Sequence, residues 1–144
     1  LVCDINDLGT AEWGCWDSLI SGAIGTAIGT VAQNTIDILN GCGTPNIAAD
    51  KCADNTAQGY TDWFLPSRDE LNQMYVNKAA INATAILNGG SAFSTSFDIY
   101  WSSTDCTIGC FNEGVSAWNQ DFTYGYQFQY DRNVTYSVRA VRAF

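Results

Sequence analysis

The most reactive side chains in this 144-residue chain are six cysteines, Cys3, Cys15, Cys42, Cys52, Cys106 and Cys110. The set is even and contains no CxxC pair, which points to disulfides. We expect three local bridges, Cys3 with Cys15, Cys42 with Cys52 and Cys106 with Cys110. Each brackets a segment bearing Gly or Asn that would otherwise be floppy, and Gly109 permits the tight turn the last one needs. The competing use is a redox or metal-binding thiol pair at Cys106 and Cys110.

The chain has no histidine, so histidine triads, histidine general bases and metal sites that need imidazole are excluded. Paired carboxylates could cleave glycosides. Asp121 and Asp131, however, lack an apolar setting that would set one acid apart from the other, and Asp98 and Asp105 lie in turn-like sequence. All four are read as solvated acids. The run from Asp4 to Gly9 begins like a calcium loop, yet Leu8 and Cys15 stand where ligand oxygens are required. No cofactor and no metal are expected.

Six Lys and Arg against fifteen Asp and Glu give a net charge of −9. Such a surface repels phosphate backbones, sulfated glycans and anionic lipid heads, which argues against nucleic-acid partners. Hydrophobic residues make up 47% and charged residues 15%, the balance of a folded domain rather than of a disordered segment. The length suits one domain, 1–144. No apolar run approaches the roughly 18 residues of a membrane span, so membrane insertion is not expected. Oxidised cysteines imply an extracellular or cell-surface location, and a chain that starts at Leu1 reads as a mature product after removal of a leader.

These groups need a scaffold, and the sequence indicates one. Val31, Ala32, Ile36 and Leu39 recur at helical spacing over Thr30 to Asn40, with Gly41 placed as a C-terminal cap. Ser67 and Glu70 form a capping box for a second helix that runs to about Asn77, with Leu71, Met74 and Tyr75 on one face. Strands are expected at Leu1 to Ile5 and, after residue 90, at Asp98 to Ser102, Ser116 to Phe122 and Tyr136 to Phe144.

Four stretches carry a resemblance: Gly25 to Thr30, Gly59 to Leu71, Tyr100-Trp101-Ser102-Ser103-Thr104, and Ala117-Trp118 running on to Val138-Arg139-Ala140-Val141-Arg142-Ala143-Phe144. In this order and spacing the chain resembles a bacterial family of C-type-lectin-like domains typified by the C-terminal domain of a collagen-like adhesin. That family is related in fold to retroelement-diversified variable proteins and to formylglycine-generating oxidases. The resemblance implies an α+β fold, two helices flanking a small twisted antiparallel sheet with adjacent N- and C-terminal strands, here stapled by disulfides. It implies recognition of a ligand through the stretch before the last strand, 119–136, and allows a homotrimer.

The chain departs from sugar-binding C-type lectins in lacking their Glu-Pro-Asn or Gln-Pro-Asp calcium signature. Trp118-Asn119-Gln120-Asp121 resembles their Trp-Asn-Asp element with one residue inserted. It also lacks the Arg-Gly-Gly-Ser-Trp-like run of the oxidases, of which Gly89-Gly90-Ser91-Ala92-Phe93 is a partial echo.

Aromatic residues crowd the segment from Tyr100 to Tyr136, Phe111 among them. Alternation with Gln127 and Gln129 would by itself make Tyr126, Phe128 and Tyr130 the buried face of a strand. The resemblance assigns Tyr100, Trp101, Trp118 and Phe122 to the core and exposes the later rings. The expected ligand-binding residues are therefore Asn119, Tyr124, Tyr126, Phe128, Tyr130, Asp131, Arg132, Asn133 and Tyr136. Exposed tyrosines beside amides and acids offer rigid contact area with directional hydrogen bonds. The expected function is non-catalytic adhesion to a surface glycan, neutral rather than sulfated, or to a protein. The alternatives are a copper-dependent thiol oxidase using Cys106 and Cys110, and a structural fibre tip whose aromatic residues make subunit contacts.

Overall fold

The computed structural model describes residues 1–29, 32–96, 98–107, 109–110, 112 and 114–144. Strands β1 (Val2–Cys3) and β2 (Thr10–Glu12) precede helices α1 (Ala32–Gly41), α2 (Ala48–Ala53), α3 (Arg68–Val76) and α4 (Lys78–Leu87). Strands β3 (Ile99–Cys106), β4 (Ser116–Asp121), β5 (Gln127–Asp131), β6 (Thr135–Ser137) and β7 (Val141–Arg142) follow. This is the expected α+β, C-type-lectin-like arrangement. The main sheet has the order β2-β6-β3-β4-β5, and β1 pairs with β7 antiparallel, Cys3 opposite Val141.

The capping box forms as expected. Glu70 N donates to Ser67 Oγ at 3.2 Å, and Ser67 N donates to Glu70 Oε2 at 2.9 Å. The second carboxylate oxygen accepts from Gly29 N at 2.9 Å, so one buried acid ties the start of α3 to the loop before α1. Thr30, Val31 and Phe111 lie outside the described residues. Gly41 is the last residue of α1 rather than a cap beyond it. Helices α2 and α4 add to the two that were expected. Both are Ala-rich, and alanine favours helix without marking an apolar face.

Two cores form on opposite sides of the extended segments, because successive side chains point to opposite faces. Trp63, Leu65 and Trp101 enter one core with Trp13, Ile38, Ile47 and Val138. Phe64 and Tyr100, their chain neighbours, enter the other with Leu71, Met74, Phe93 and Phe122.

The closing Val138 to Arg142 run earns its sequence here. Val138, Ala140 and Val141 are buried, and so is Arg139. Its guanidinium pairs with Asp7 at 3.0 Å, lies over Phe93 and donates to Ile5 O and Ser91 O. Ser91 N donates to Ile5 O at 2.9 Å, so the Gly89 to Phe93 run clasps the N-terminal segment.

The disulfide expectation needs correction. Cys15 bonds Cys42, 27 residues away, and Cys106 bonds Cys110. Cys3 and Cys52 are free thiols, so Cys3 does not pair with Cys15, nor Cys42 with Cys52. Gly14 explains the first bridge. It adopts φ +106°, and a Cβ there would meet Ile47 Cγ2 at 2.6 Å and Cys42 Sγ at 3.1 Å, so glycine lets this loop lie close against Cys42 at the end of α1. Cys3 is held away in β1, and Cys52 sits on the buried side of α2. Burial pushes the Cys3 thiol up to about 12 and also raises that of Cys52.

Candidate functional site

Strand β5 is an edge of the main sheet, paired on one side with β4. The turn before it is held by backbone and side-chain bonds. Gly125 N donates to Asp121 O at 2.8 Å and Asp121 N to Tyr126 O at 2.9 Å. The Asp121 carboxylate accepts from Thr123 N and Tyr124 N at 2.6 and 3.0 Å. Gly125 has φ +86° and packs against the Tyr75 ring, where a side chain would not fit. This ordered loop presents Tyr124 and Tyr126 at 71% and 69% exposure, and β5 presents Tyr130 at 50%.

Register fixes which residues share a face. Trp101, Asn119 and Phe128 lie opposite one another across β3, β4 and β5, as do Ala117 and Tyr130. Directly opposed residues project to the same side. Tyr136 of β6 packs at a tilt against Trp101, ring centroids 4.8 Å apart, and approaches Tyr130 at 6.1 Å. This side of the sheet therefore runs from buried tryptophan at its middle to exposed tyrosine at its edge, and the Tyr124 and Tyr126 rings, 6.3 Å apart, extend it.

Two of the nine expected contact residues are not on the surface. Arg132 is fully buried. Its guanidinium pairs with the buried Asp105 carboxylate, lies over Trp13 at 4.6 Å and donates to Cys15 O and Ser18 O. Asp105 is thus no solvated turn acid; burial raises its carboxyl above the usual range while Arg132 draws it back. Asn119 is 1% exposed, and neither amide atom has a hydrogen-bond partner among the described residues. Both corrections have one cause: β4 and the turn after β5 face the core with polar side chains. Of the others, Phe128 and Tyr136 are half-buried, Asp131 is partly exposed, and Asn133 is exposed in the turn between β5 and β6.

The opposite side of β5 is polar. Gln127 Nε2 donates to Arg68 O at 2.7 Å, and Gln120, its cross-strand neighbour, donates to Asn72 at 2.9 Å, which fastens the edge to α3. Farther along, Asn112, Ser116, Gln129, Tyr130 and Asp131 line a hollow of about 270 Å³. Asn112 Nδ2 donates to Asp131 Oδ1 at 2.9 Å and Ser116 Oγ to Asn112 O at 2.7 Å. Asn112, Ser116 and Gln129 were not among the expected residues. The alternation of glutamine with aromatic residues in β5 was the available signal for Gln129.

All six basic residues are engaged within the fold. Each arginine sits over an aromatic ring and beside an aspartate: Arg68 with Trp118 and Asp69, Arg132 with Trp13 and Asp105, Arg139 with Phe93 and Asp7, Arg142 with Tyr60 and Asp62. Lys51 donates to Leu8 O, and Lys78 donates to Phe122 O while lying over Tyr75. Among the described residues, no helix is long and apolar enough to cross a membrane.

Residues 22–142 match the family model described as the Lcl C-terminal domain. No curated protein matches the chain.

Proposed function

The chain belongs to the Lcl C-terminal domain family, and from that premise we propose that it is a non-catalytic, adhesin-like recognition domain working outside the cell. Its ligand is an uncharged glycan or a protein on another surface, met by the outer edge of 119–136. The observation that carries this reading is the display of Tyr124, Tyr126 and Tyr130, all half or more exposed, on an edge strand and turn that are internally bonded. Rigid rings held in place lose little entropy on binding and bury large area. Asn133 and Asp131 stand beside them.

The commitment of every cation to an internal partner supports a ligand that is not a polyanion. Nucleic acid and sulfated glycan would need free basic groups. The two disulfides suit an oxidising location. The copper-oxidase alternative loses its chemistry while Cys106 and Cys110 are bonded to each other, since a copper-binding pair must present thiolates.

One observation favours a second reading, a subunit contact. The same rings lie on an unpaired sheet edge, and open edges invite pairing with another chain.

The test is the double variant Tyr126→Ala/Tyr130→Ala, assayed for binding to target cells and for mass in solution. Loss of cell binding with an unchanged mass and melting midpoint supports recognition. Conversion of a wild-type trimer to a monomer supports the subunit contact instead.

A further inference from the structure

We propose that the hollow beside Tyr130 is a subsite for one neutral hexopyranose ring of a surface glycan, bound without calcium. The inference rests on the hairpin being the ligand face and names the chemistry that face takes.

The lining groups suit a polyhydroxylated, uncharged ring. Asp131 supplies a partly exposed carboxylate that accepts from Asn112 and retains further acceptor capacity. Sugar hydroxyls donate to carboxylates in charge-assisted bonds, about twice as strong as neutral ones. Gln129 adds an amide that both donates and accepts. Tyr130, half exposed, stands between Gln129 and Asp131 at the rim of the hollow, its ring on the other face of the edge strand. The volume of about 270 Å³ lies just below the roughly 300–1,000 Å³ of pockets that enclose drug-sized ligands, so it suits one ring with the rest of the chain outside.

Charge selects the class further. Among the described residues no Lys or Arg lines the hollow, and Asp131 stands in it, so a uronate or sulfated sugar would meet repulsion. Among the described residues, no group of three or more acidic or thiol side chains stands close enough together to hold a metal ion. Direct hydrogen bonding therefore replaces metal-mediated contact.

The experiment uses the full chain on a sensor surface with soluble mannan, galactan and glucan as neutral probes and heparin as the polyanion, each with and without EDTA. The variants are Asp131→Asn and Gln129→Ala, with melting curves for both. Expected is binding of at least one neutral polysaccharide that EDTA leaves unchanged, weakened roughly tenfold or more by Asp131→Asn, with heparin inert. The proposal is overturned if none of the neutral probes binds, if EDTA abolishes binding, or if Asp131→Asn and Gln129→Ala bind as the wild type does. If the neutral probes are inert while Tyr126→Ala/Tyr130→Ala loses cell binding, the ligand is a protein; the subsite falls and the hairpin reading stands. If that double variant still binds cells, both fall.

Discussion

The Arg132 guanidinium meets the Asp105 carboxylate with neither side chain exposed to solvent. The pair joins the turn after β5 to the strand that ends in the Cys106 bridge, and Arg132 reaches on to the carbonyl of Cys15, whose sulfur bonds Cys42. One side chain thus holds the aromatic edge against both stapled loops. Removing one partner of a buried pair leaves the other charged and unsolvated. Arg132→Ala should therefore cost about 3–5 kcal/mol, seen in chemical denaturation; a loss under 1 kcal/mol would show the pair to be dispensable.

The exposed rings should behave in the opposite way. Tyr124→Ala and Tyr126→Ala remove side chains at 71% and 69% exposure, and surface substitutions usually stay within about 0.5 kcal/mol. A drop of several kcal/mol in either variant would mean that these rings support the fold.

Asn119 gives a test in the stabilising direction. A buried amide without partners costs about 1–3 kcal/mol, and an apolar side chain of similar shape removes that cost. Asn119→Leu should leave the melting midpoint unchanged or raise it, and a clear fall would reveal a hydrogen-bond partner.

Thiol titration separates the observed bridges from the expected ones. Denatured, unreduced protein should label with maleimide at Cys3 and Cys52 and at no other cysteine. In the native state both should react slowly, because burial raises both thiols and little thiolate forms. Mass spectra showing no label after denaturation would place a third bridge.

Acid should stabilise the fold over a defined window. Burial raises Asp7, against the opposing pull of Arg139, and raises Asp105 likewise. An acid raised in the folded state contributes stability that is fully present below its unfolded value of 3.8 and is lost as pH rises through the folded value. Asp62, lowered by its hydrogen bond to Arg142, titrates below that window and does not oppose the trend. The net charge of −9 also shrinks toward the pI near 4.1. The melting midpoint should be higher at pH 5 than at pH 7.5, with a smaller difference in Asp7→Asn; a lower midpoint at pH 5 would refute this.

What the chain determines by itself is local or compositional. Ser67 and Glu70 are three residues apart, so their capping box needs no tertiary partner to be recognised, and α3 formed where that spacing places it. The absence of histidine and the scarcity of cations restrict chemistry whatever the fold. The Val138 to Arg142 run marked the family, and with it the pairing of the terminal strands. Tertiary structure decided the rest, because those outcomes depend on residues far apart in sequence. Cys15 found Cys42 rather than Cys3 because Gly14 admits the end of α1 at close range. Arg132, flanked by Asp131 and Asn133, reads as a surface residue until β3 brings Asp105 beneath it, 27 positions earlier in the chain. Asn119 and Gln129 lie opposite neighbours on adjacent strands and project to opposite faces. Sheet register, which no local pattern fixes, buried the first and left the second lining an open hollow.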